Sequence, residues 1–556
     1  MSRLLRALRR QGLPALIVMA LGGLFIVYPL TGALMKGISW DLFKNVVVSP
    51  NARESVVNSI KIALLTTLVS IVIALPFAYL TTRFRFPGRS LARMLLLTPL
   101  IVPPFVGAFG LLRILSVDGS INALLMDLHL IHAPVKLYEL YPVPCIVFLQ
   151  SLGSFPILFI MISAALDNID PDLESAAANL GAPPLRTFWS VTRPLATPGV
   201  LAGALLVFVG SFTDLGTPLI FNLTRVLPME IFRRLQEVDS SGMVYTYVLI
   251  MILVNVVFFS AAVLLSGKEQ ATMFGAAGGE ERPRRPMSAL GSVLTWLSIA
   301  GLGLVMLLPH LSILFTSIEN KWSYTILPQT TTTAHYKDVL ANPLTMISIE
   351  NSLLFAVGAT LIDMVLGFLF AYWVTRPWNR LGKYFDALAM VPLAVPGLVL
   401  AFSFLAAFRW WPGLDARVNP TLPLIAAYSI RRFPYMVRAC VAGFQQVHPA
   451  MEEASANLGA RGWRTLTRIL APLVAGGLAA GAVLTFAYSM LEVSDSLILA
   501  DRETYYPITK ALYLLLSYDN GQQAACAFGV WTMAFLATSL IVAWLFMRAR
   551  RPPARE

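Results

Sequence analysis

The chain has 556 residues, 57% hydrophobic and only 13% charged, a balance that excludes a string of soluble domains and points to a polytopic membrane protein. Its net charge of +12 does not make it a nucleic-acid binder, because the basic residues fall in short tracts between apolar runs and not on one soluble face. Cys145, Cys440 and Cys526 lie singly in or beside apolar runs with no CxxC pair, so neither a disulfide framework nor a zinc site is suggested.

Twelve apolar runs are long enough to cross a bilayer, near 14–35, 58–80, 94–116, 142–166, 198–220, 244–266, 289–316, 351–374, 385–408, 421–445, 474–499 and 526–547. Arg3, Arg6, Arg9 and Arg10 precede the first, which ends at Tyr28-Pro29 without a small-residue cleavage site. It therefore reads as a retained span and not as a signal peptide. Positive tracts follow the second span (Arg83, Arg85, Arg89, Arg93) and the eighth (Arg376, Arg380, Lys383). Others lie at Lys268 to Arg285 and at Arg548 to Arg555. An even span count puts them all on one side, which the positive-inside rule makes the cytoplasm, with both termini there.

The chain repeats itself in the same direction. Asn58-Ser59 recurs as Asn351-Ser352, Phe77-Ala78-Tyr79 as Phe370-Ala371-Tyr372, and Pro99 and Pro103 as Pro392 and Pro396, all 293 positions on. Further along, the spacing is 278, so the first half carries about fifteen extra residues by repeat matching. These fall in the outer segment 117–141, where Asp118, Asp127, His129 and His132 sit; an i,i+3 His pair alone is weak metal evidence. The expected fold is all-α and polytopic, with twelve transmembrane helices as two parallel six-helix repeats, 1–266 and 288–556, joined by a cytoplasmic linker over 267–287.

The stretch Pro171-Asp-Leu-Glu-Ser-Ala-Ala-Ala-Asn-Leu-Gly181, running on to Pro194, recurs without a gap as Pro449-Ala-Met-Glu-Glu-Ala-Ser-Ala-Asn-Leu-Gly459, running on to Pro472. Each copy is a helix-former run, a glycine suited to a turn, a second helix carrying Arg, and a proline before the next apolar segment. The pattern resembles the EAA loop of binding-protein-dependent ABC importer permeases. The second copy matches through Glu453-Ala454-Ser455, Gly459, Ile469 and Pro472. The first reads Ser175-Ala176-Ala177, Gly181, Val191 and Pro194, with Glu174 one place upstream. The resemblance, over nearly the whole chain, is to fused two-half permeases of ferric-iron, thiamine and phosphonate importers. It implies that the loops, about 167–197 and 446–473, dock on separate ATPase subunits. Glu174, Ser175, Ala176, Gly181, Glu452, Glu453, Ala454 and Gly459 are then the coupling residues.

The chain itself has no G-x-x-x-x-G-K-[ST] phosphate cradle. Leu265-Ser266-Gly267-Lys268-Glu269 has a chance likeness to a nucleotide-binding signature. No cofactor is expected in this chain, and ATP and Mg belong on the partner. The resemblance further implies two ATPase copies per single permease chain, a periplasmic solute-binding protein, surrounding lipid, and a bacterial inner-membrane location. Ferric iron is the first expectation for the solute, with thiamine, phosphonate, polyamine or sugar phosphate as alternatives. An ion-coupled secondary transporter is the rival class; it has no need of matched cytosolic loops.

Ionisable residues inside spans mark function by default. Asp214 and Glu492 share the 278 spacing and lie about 22 Å along their helices from the cytoplasmic end, at about 1.5 Å per residue. They are expected either to line the path or to pair structurally. Arg431, Arg432 and Arg438 are one-sided, since Gly153, Ser154 and Ile160 occupy the first-half positions. Pairing of Arg431 or Arg432 with Glu492 or Asp214 is favoured, because an unpartnered buried charge is costly. Asp363, opposite Ser70, is expected in the same network. Pro103-Pro104 and Pro396-Gly397 are expected to bend spans three and nine. Segments 227–234 and 506–512 are expected as outer docking surface for the binding protein.

Overall fold

The computed structural model describes residues 20–549 apart from 39–40, 42–43, 45, 47, 101–103, 237–241, 267–283, 377–381, 449, 461, 517 and 519–520. The basic N-terminal tract, most of the linker, Pro103, Arg380, Pro449 and the C-terminal Arg550, Arg551 and Arg555 lie outside the described residues. The main helices, in chain order, are α1 (Ala20–Gly37), α2 (Pro50–Arg83), α3 (Pro104–Leu115), α4 (Pro142–Asn168), α5 (Pro171–Asn179) and α6 (Arg193–Phe212). They continue as α7 (Gly216–Ile220), α8 (Leu227–Gln236), α9 (Met243–Ser266), α10 (Ala289–Ile318), α11 (Pro343–Thr375) and α12 (Gly397–Ala407). The last are α13 (Thr421–Gln445), α14 (Ala450–Asn457), α15 (Ala471–Met490), α16 (Ser494–Leu499), α17 (Ile508–Leu515) and α18 (Gly521–Ala549). Among the described residues, nine helices are long and apolar enough to cross a membrane, so the chain is an all-α polytopic membrane protein. At about 1.5 Å per residue, the 34 residues of α2 and the 33 of α11 run about 50 Å, well beyond a ~30 Å hydrocarbon core.

The ninth expected run is not one helix. It is the end of a helix at Gly382–Ala389, a short helix at Val391–Ala394, extended backbone at Val395 and Pro396, and then α12. Proline lacks an N–H and restricts the residue before it, so the ladder breaks here instead of merely bending.

One compact unit comprises residues 39–338 and 515–530, the other 1–38, 339–514 and 531–556. In the first, α4 packs on α2 and α6, and α10 packs on α3. A methyl group on Gly110 would lie 1.8 Å from the Pro309 carbonyl oxygen, so only glycine allows that approach of α3 to α10. Arg113 pairs with Asp118 (2.8 Å) and Glu319 (3.2 Å) beneath Trp322. In the second unit α13 packs on α11 and α15, and α12 packs on α1. Phe25 of α1 lies 5.7 Å from Phe408, ring to ring.

The same packing device serves both units. Gly199 and Gly203 of α6 lie against Ala165 and Leu158 of α4, and Gly477 and Gly481 of α15 lie against Ala439 and Met436 of α13. Small residues four apart let helices approach closely where apolar burial cannot drive association in lipid. The repeated Asn-Ser pair also has a structural role. Asn58 Nδ2 donates to the Arg225 carbonyl (3.1 Å) and Ser59 Oγ accepts from Leu227 N (2.8 Å). Asn351 Nδ2 donates to the Tyr506 carbonyl (3.2 Å) and Ser352 Oγ accepts from Ile508 N (2.8 Å). Each pair secures the N-terminus of a short amphipathic helix, α8 or α17, whose first N–H groups have no intrahelical partner.

Candidate functional site

The two repeated loops fold alike. Asp170 Oδ1 accepts from Asp172 N at 3.0 Å and caps α5, a role suited to a short acceptor at a helix start. The chain then turns at Gly181 (φ +81°), as it turns after α14 at Gly459 (φ +77°), backbone positions that disfavour any Cβ. Short helices at Pro184–Thr187 and Gly462–Thr465 follow, each passing through a wider turn into α6 or α15.

The loops present matched apolar side chains to solvent. Leu180 and Leu458 are each 89% exposed, Leu185 and Trp463 are 70% and 71% exposed, and Leu173 and Met451 are about half exposed. Every one of these pairs keeps the 278 spacing. Ser175, Ala176, Glu453 and Ala454 are exposed as well, as are Gly181 and Gly459. Glu174 and Glu452 face the other way. Glu174 Oε1 lies 2.8 Å from Arg83 Nη2 and accepts from Thr192 Oγ1 at 2.9 Å, with Arg285 at 4.0 Å from Oε2. Glu452 pairs with Arg376 and accepts from the Tyr372 hydroxyl at 3.3 Å. The sequence reading missed the partners Arg83 and Arg376, although they stand 293 apart like the other repeated residues of their segments.

Asp214 and Glu492 do not sit within continuous helices. Each falls in a break, between α6 and α7 or between α15 and α16. Asp214 accepts from Gly216 N (3.0 Å), Thr217 N (3.3 Å) and Gln150 Nε2 (2.8 Å). Gln150 in turn accepts from Ser211 Oγ (2.5 Å) and Thr66 Oγ1 (3.2 Å). Glu492 likewise accepts from Asp495 N (3.3 Å), but its carboxylate is bound by two guanidiniums. Arg431 Nη1 lies 2.6 Å from Glu492 and 3.2 Å from Asp495, and Arg432 pairs with Glu492. A methyl group on Gly397 would lie 2.1 Å from Arg431 Nη1, so that glycine makes room for the guanidinium. Of the two carboxylates expected as partners, Glu492 is the one that Arg431 and Arg432 meet. Asp495 and Gln150 belong to these centres and were not singled out from the sequence. The Gly-Thr-Pro after Asp214 was a signal for the break.

Asp363 accepts from Ser429 Oγ at 2.5 Å, and no arginine contacts it among the described residues, so it does not join the arginine cluster directly. Arg438 pairs with Asp386 at 3.1 Å. The segments expected as outer docking surface are largely buried. In α8, Leu227, Met229, Ile231 and Phe232 are covered, and in the other segment Tyr506, Ile508, Ala511 and Leu512. Their amphipathic faces serve internal packing.

A family model for the inner membrane component of binding-protein-dependent transport systems matches this chain twice, over residues 68–269 and 363–550. A ferric transport system permease protein of Actinobacillus pleuropneumoniae is 26% identical over 513 residues, 90% of this chain and 72% of the relative. An Fe(3+)-transport system permease protein of Haemophilus influenzae is 22% identical over 503 residues, 88% of this chain and 89% of the relative. A molybdenum transport system permease protein of Mycobacterium bovis is 30% identical over 226 residues, 40% of this chain and 83% of the relative. With both loops falling inside the two matched segments, this chain belongs to the inner membrane components of binding-protein-dependent transport systems, as a fused permease carrying the family domain twice.

Proposed function

We propose that this permease passes ferric iron from a periplasmic binding protein to the cytoplasm, driven by ATP hydrolysis on two separate ATPase subunits that hold ATP and Mg. One permease chain serves both ATPases. The observation that carries the coupling reading is the pair of loops, each with three exposed apolar residues at matched positions. A soluble surface rarely leaves such groups uncovered in a cluster. Ser175, Ala176, Gly181, Glu453, Ala454 and Gly459 lie on this exposed side and are assigned to the contact. In this reading the twelve apolar runs cross the membrane as two parallel six-helix repeats, 1–266 and 288–556, with the linker 267–287, both loops and both termini in the cytoplasm.

The ferric assignment draws on relatives that match this chain along most of its length, and the molybdenum relative supplies the control solute. The chain is reconstituted with the ATPase and binding protein of its own transport system, and uptake of radiolabelled Fe(III) and of molybdenum is measured with and without ATP. ATP-dependent iron uptake supports the proposal; molybdenum uptake alone reassigns the solute. A native mass showing two permease chains per two ATPases rejects the stoichiometry.

In each half a carboxylate-capped helix break is a candidate part of the path: Asp214 in the first, Glu492 with Arg431 and Arg432 in the second, and Asp363 beside it. Glu492 and Arg432 are already charge-paired, so they shape the wall, while Arg431, whose side chain is 24% exposed, is the charged group of that centre most open to a passing solute.

A further inference from the structure

We propose that Glu174 and Glu452 are positioning residues that fasten each coupling helix to the end of a long membrane helix, through Arg83 on α2 and Arg376 just past α11. This rests on the loops being coupling elements and deepens that reading. Both carboxylates are turned away from the exposed face, Glu174 being 7% exposed as a residue and the Glu452 side chain 16%. Arg83 and Arg376 are sheltered too, with side chains 11% and 4% exposed.

Removing both charges of an ion pair from water is costly, and only close geometry with further polar partners offsets it. Both joints have those partners. Thr192, at the entry to α6, donates to Glu174. Tyr372 donates to Glu452, and the Arg376 guanidinium stacks 4.9 Å from the Tyr372 ring and 5.2 Å from Phe444. In the first half Tyr79, at the position of Tyr372, packs edge-on against Phe188 of the loop at 5.5 Å.

The two joints cannot be one accident copied by proximity in sequence. The arginines repeat at 293 and the glutamates at 278, because a stretch of about fifteen extra residues intervenes in the first half only. The partners have kept each other across that change of register. The mechanical consequence follows from the connections. The polypeptide itself ties each coupling helix to α4 or α13 on one side and, through the glycine turn, to α6 or α15 on the other. The Arg–Glu joint adds a direct route to α2 or α11. Displacement of the coupling helix is then delivered to α2 or α11 as well as to the helices it is chained to, and α2 packs on α6 as α11 packs on α15.

The first joint carries an extra brace. Strand β1 (Phe84–Arg85) pairs in parallel with β2 (Arg285–Pro286), and Met287 N donates to the Arg85 carbonyl at 3.1 Å. Arg285 thereby stands beside Glu174 as a second cation.

The test uses the full chain, alone and reconstituted with its ATPase and Fe(III)-loaded binding protein. Variants are Glu452→Gln, Glu174→Gln, and the charge swaps Arg376→Glu with Glu452→Arg and Arg83→Glu with Glu174→Arg. In the chain alone, Glu452→Gln is expected to speed amide exchange over 450–457 by about tenfold while leaving the α13 core unchanged, as local opening without global unfolding does. In the complex it keeps ATPase binding and basal hydrolysis, but iron delivered per ATP falls about threefold to tenfold, and the swap recovers more than half of the loss, as coupled partners do. Arg285 should make the loss from Glu174→Gln differ in size, not in kind. Unchanged exchange in both Gln variants overturns the proposal. So does loss of ATPase binding at wild-type exchange, which would turn the carboxylates toward the ATPase. If the wild-type chain binds no ATPase, the coupling reading fails, and the exchange measurement still decides whether the joint exists.

Discussion

Gln150 and two backbone amides donate to Asp214, with two hydroxyls behind Gln150, whereas two guanidiniums surround Glu492. The backbone task is the same in both places: a carboxylate takes up N–H groups left without partners where a helix restarts. The electrostatic solution differs. In the first half a chain of neutral donors solvates the carboxylate, while in the second an ion-pair cluster of Arg431, Arg432, Glu492 and Asp495 balances itself. Duplication has preserved the capped break and released the charges around it. A fused chain can do this, since its two halves change independently, whereas two copies of one short chain change together.

That contrast predicts unequal costs for equivalent mutations. Glu492→Gln leaves Arg431 and Arg432 facing only Asp495, and removal of one partner from a buried ion pair costs about 3–5 kcal/mol. Asp214→Asn keeps an acceptor for the same neutral donors and should cost about 1 kcal/mol, the scale of one hydrogen bond. Unfolding of the purified variants in detergent measures both. The double change Arg432→Met with Glu492→Met should recover part of the larger loss. Equal losses from the two single mutants would show that the capped break, and not the charge cluster, dominates each centre.

The glycine packing tests the opposite side of the comparison, where the halves agree. A methyl group at Gly477 would meet the Ala439 carbonyl oxygen at 2.5 Å, and one at Gly199 the Ala165 methyl at 2.4 Å. Both Ala substitutions should destabilise by about 1–3 kcal/mol, as overpacking does. Gly476→Ala enters open space and should be neutral or gain up to about 1 kcal/mol of helix propensity. If Gly199→Ala is harmless, the helix contacts of the halves are not equivalent.

A smaller asymmetry is readable with pH. By the shared serine contact, Lys510 of α17 falls where α8 has Met229. Its ammonium donates to the Leu497 carbonyl at 3.1 Å and to the Ala500 carbonyl, and burial pushes its pKa down from 10.5 to about 8. Between pH 8 and 10.5 the unfolded chain therefore holds a proton that the folded chain lacks, so stability from this group rises with pH across that window. From pH 7 to 9 the gain should be about 1 kcal/mol. Thermal unfolding of wild type and Lys510→Met at both pH values measures it, and identical pH dependence in the two would remove Lys510 as the cause.

The apolar runs, the doubling of the chain and the two loops were legible because each rests on composition or on spacing within one segment. Coarse fold and family followed from those. The breaks after Phe212 and Met490 were harder to see, since Thr213, Asp214, Leu491 and Glu492 interrupt runs that remain apolar on both sides. The cost of buried charge pointed to a carboxylate partner for Arg431 and Arg432 but left Glu492 and Asp214 both open. The Arg83–Glu174 and Arg376–Glu452 joints escaped because they connect segments about ninety and seventy-five residues apart, and positive-inside tracts already accounted for the arginines. Burial of α8 and α17 was misjudged for a related reason: an amphipathic pattern shows that one face is apolar, without saying whether that face meets protein, lipid or a partner.

The smallest effect concerns the exposed side of the loops. Glu453 and Ser175 occupy matched positions and are both exposed, while the first loop carries its exposed acid one turn earlier, at Asp172, where the second has Ala450. Both residues lie in the first two turns of their helices, where an acid also suits the dipole. With Glu452 and Glu174 occupied by arginines, Glu453 and Asp172 are the exposed carboxylates of the two coupling helices that can meet a cation on the ATPase. A solvent-exposed ion pair contributes little, because water screens it and two flexible side chains must be held. Glu453→Ala should therefore lower binding-protein-stimulated ATP hydrolysis only about twofold to fivefold, and Ser175→Ala less than that. The measurement is hydrolysis by reconstituted complexes carrying each change alone, at low and high salt. Screening should shrink the Glu453 effect and leave the Ser175 effect alone. Equal losses at every salt concentration would assign docking to backbone shape around Gly181 and Gly459 and to the matched apolar side chains, with the Glu453 carboxylate incidental.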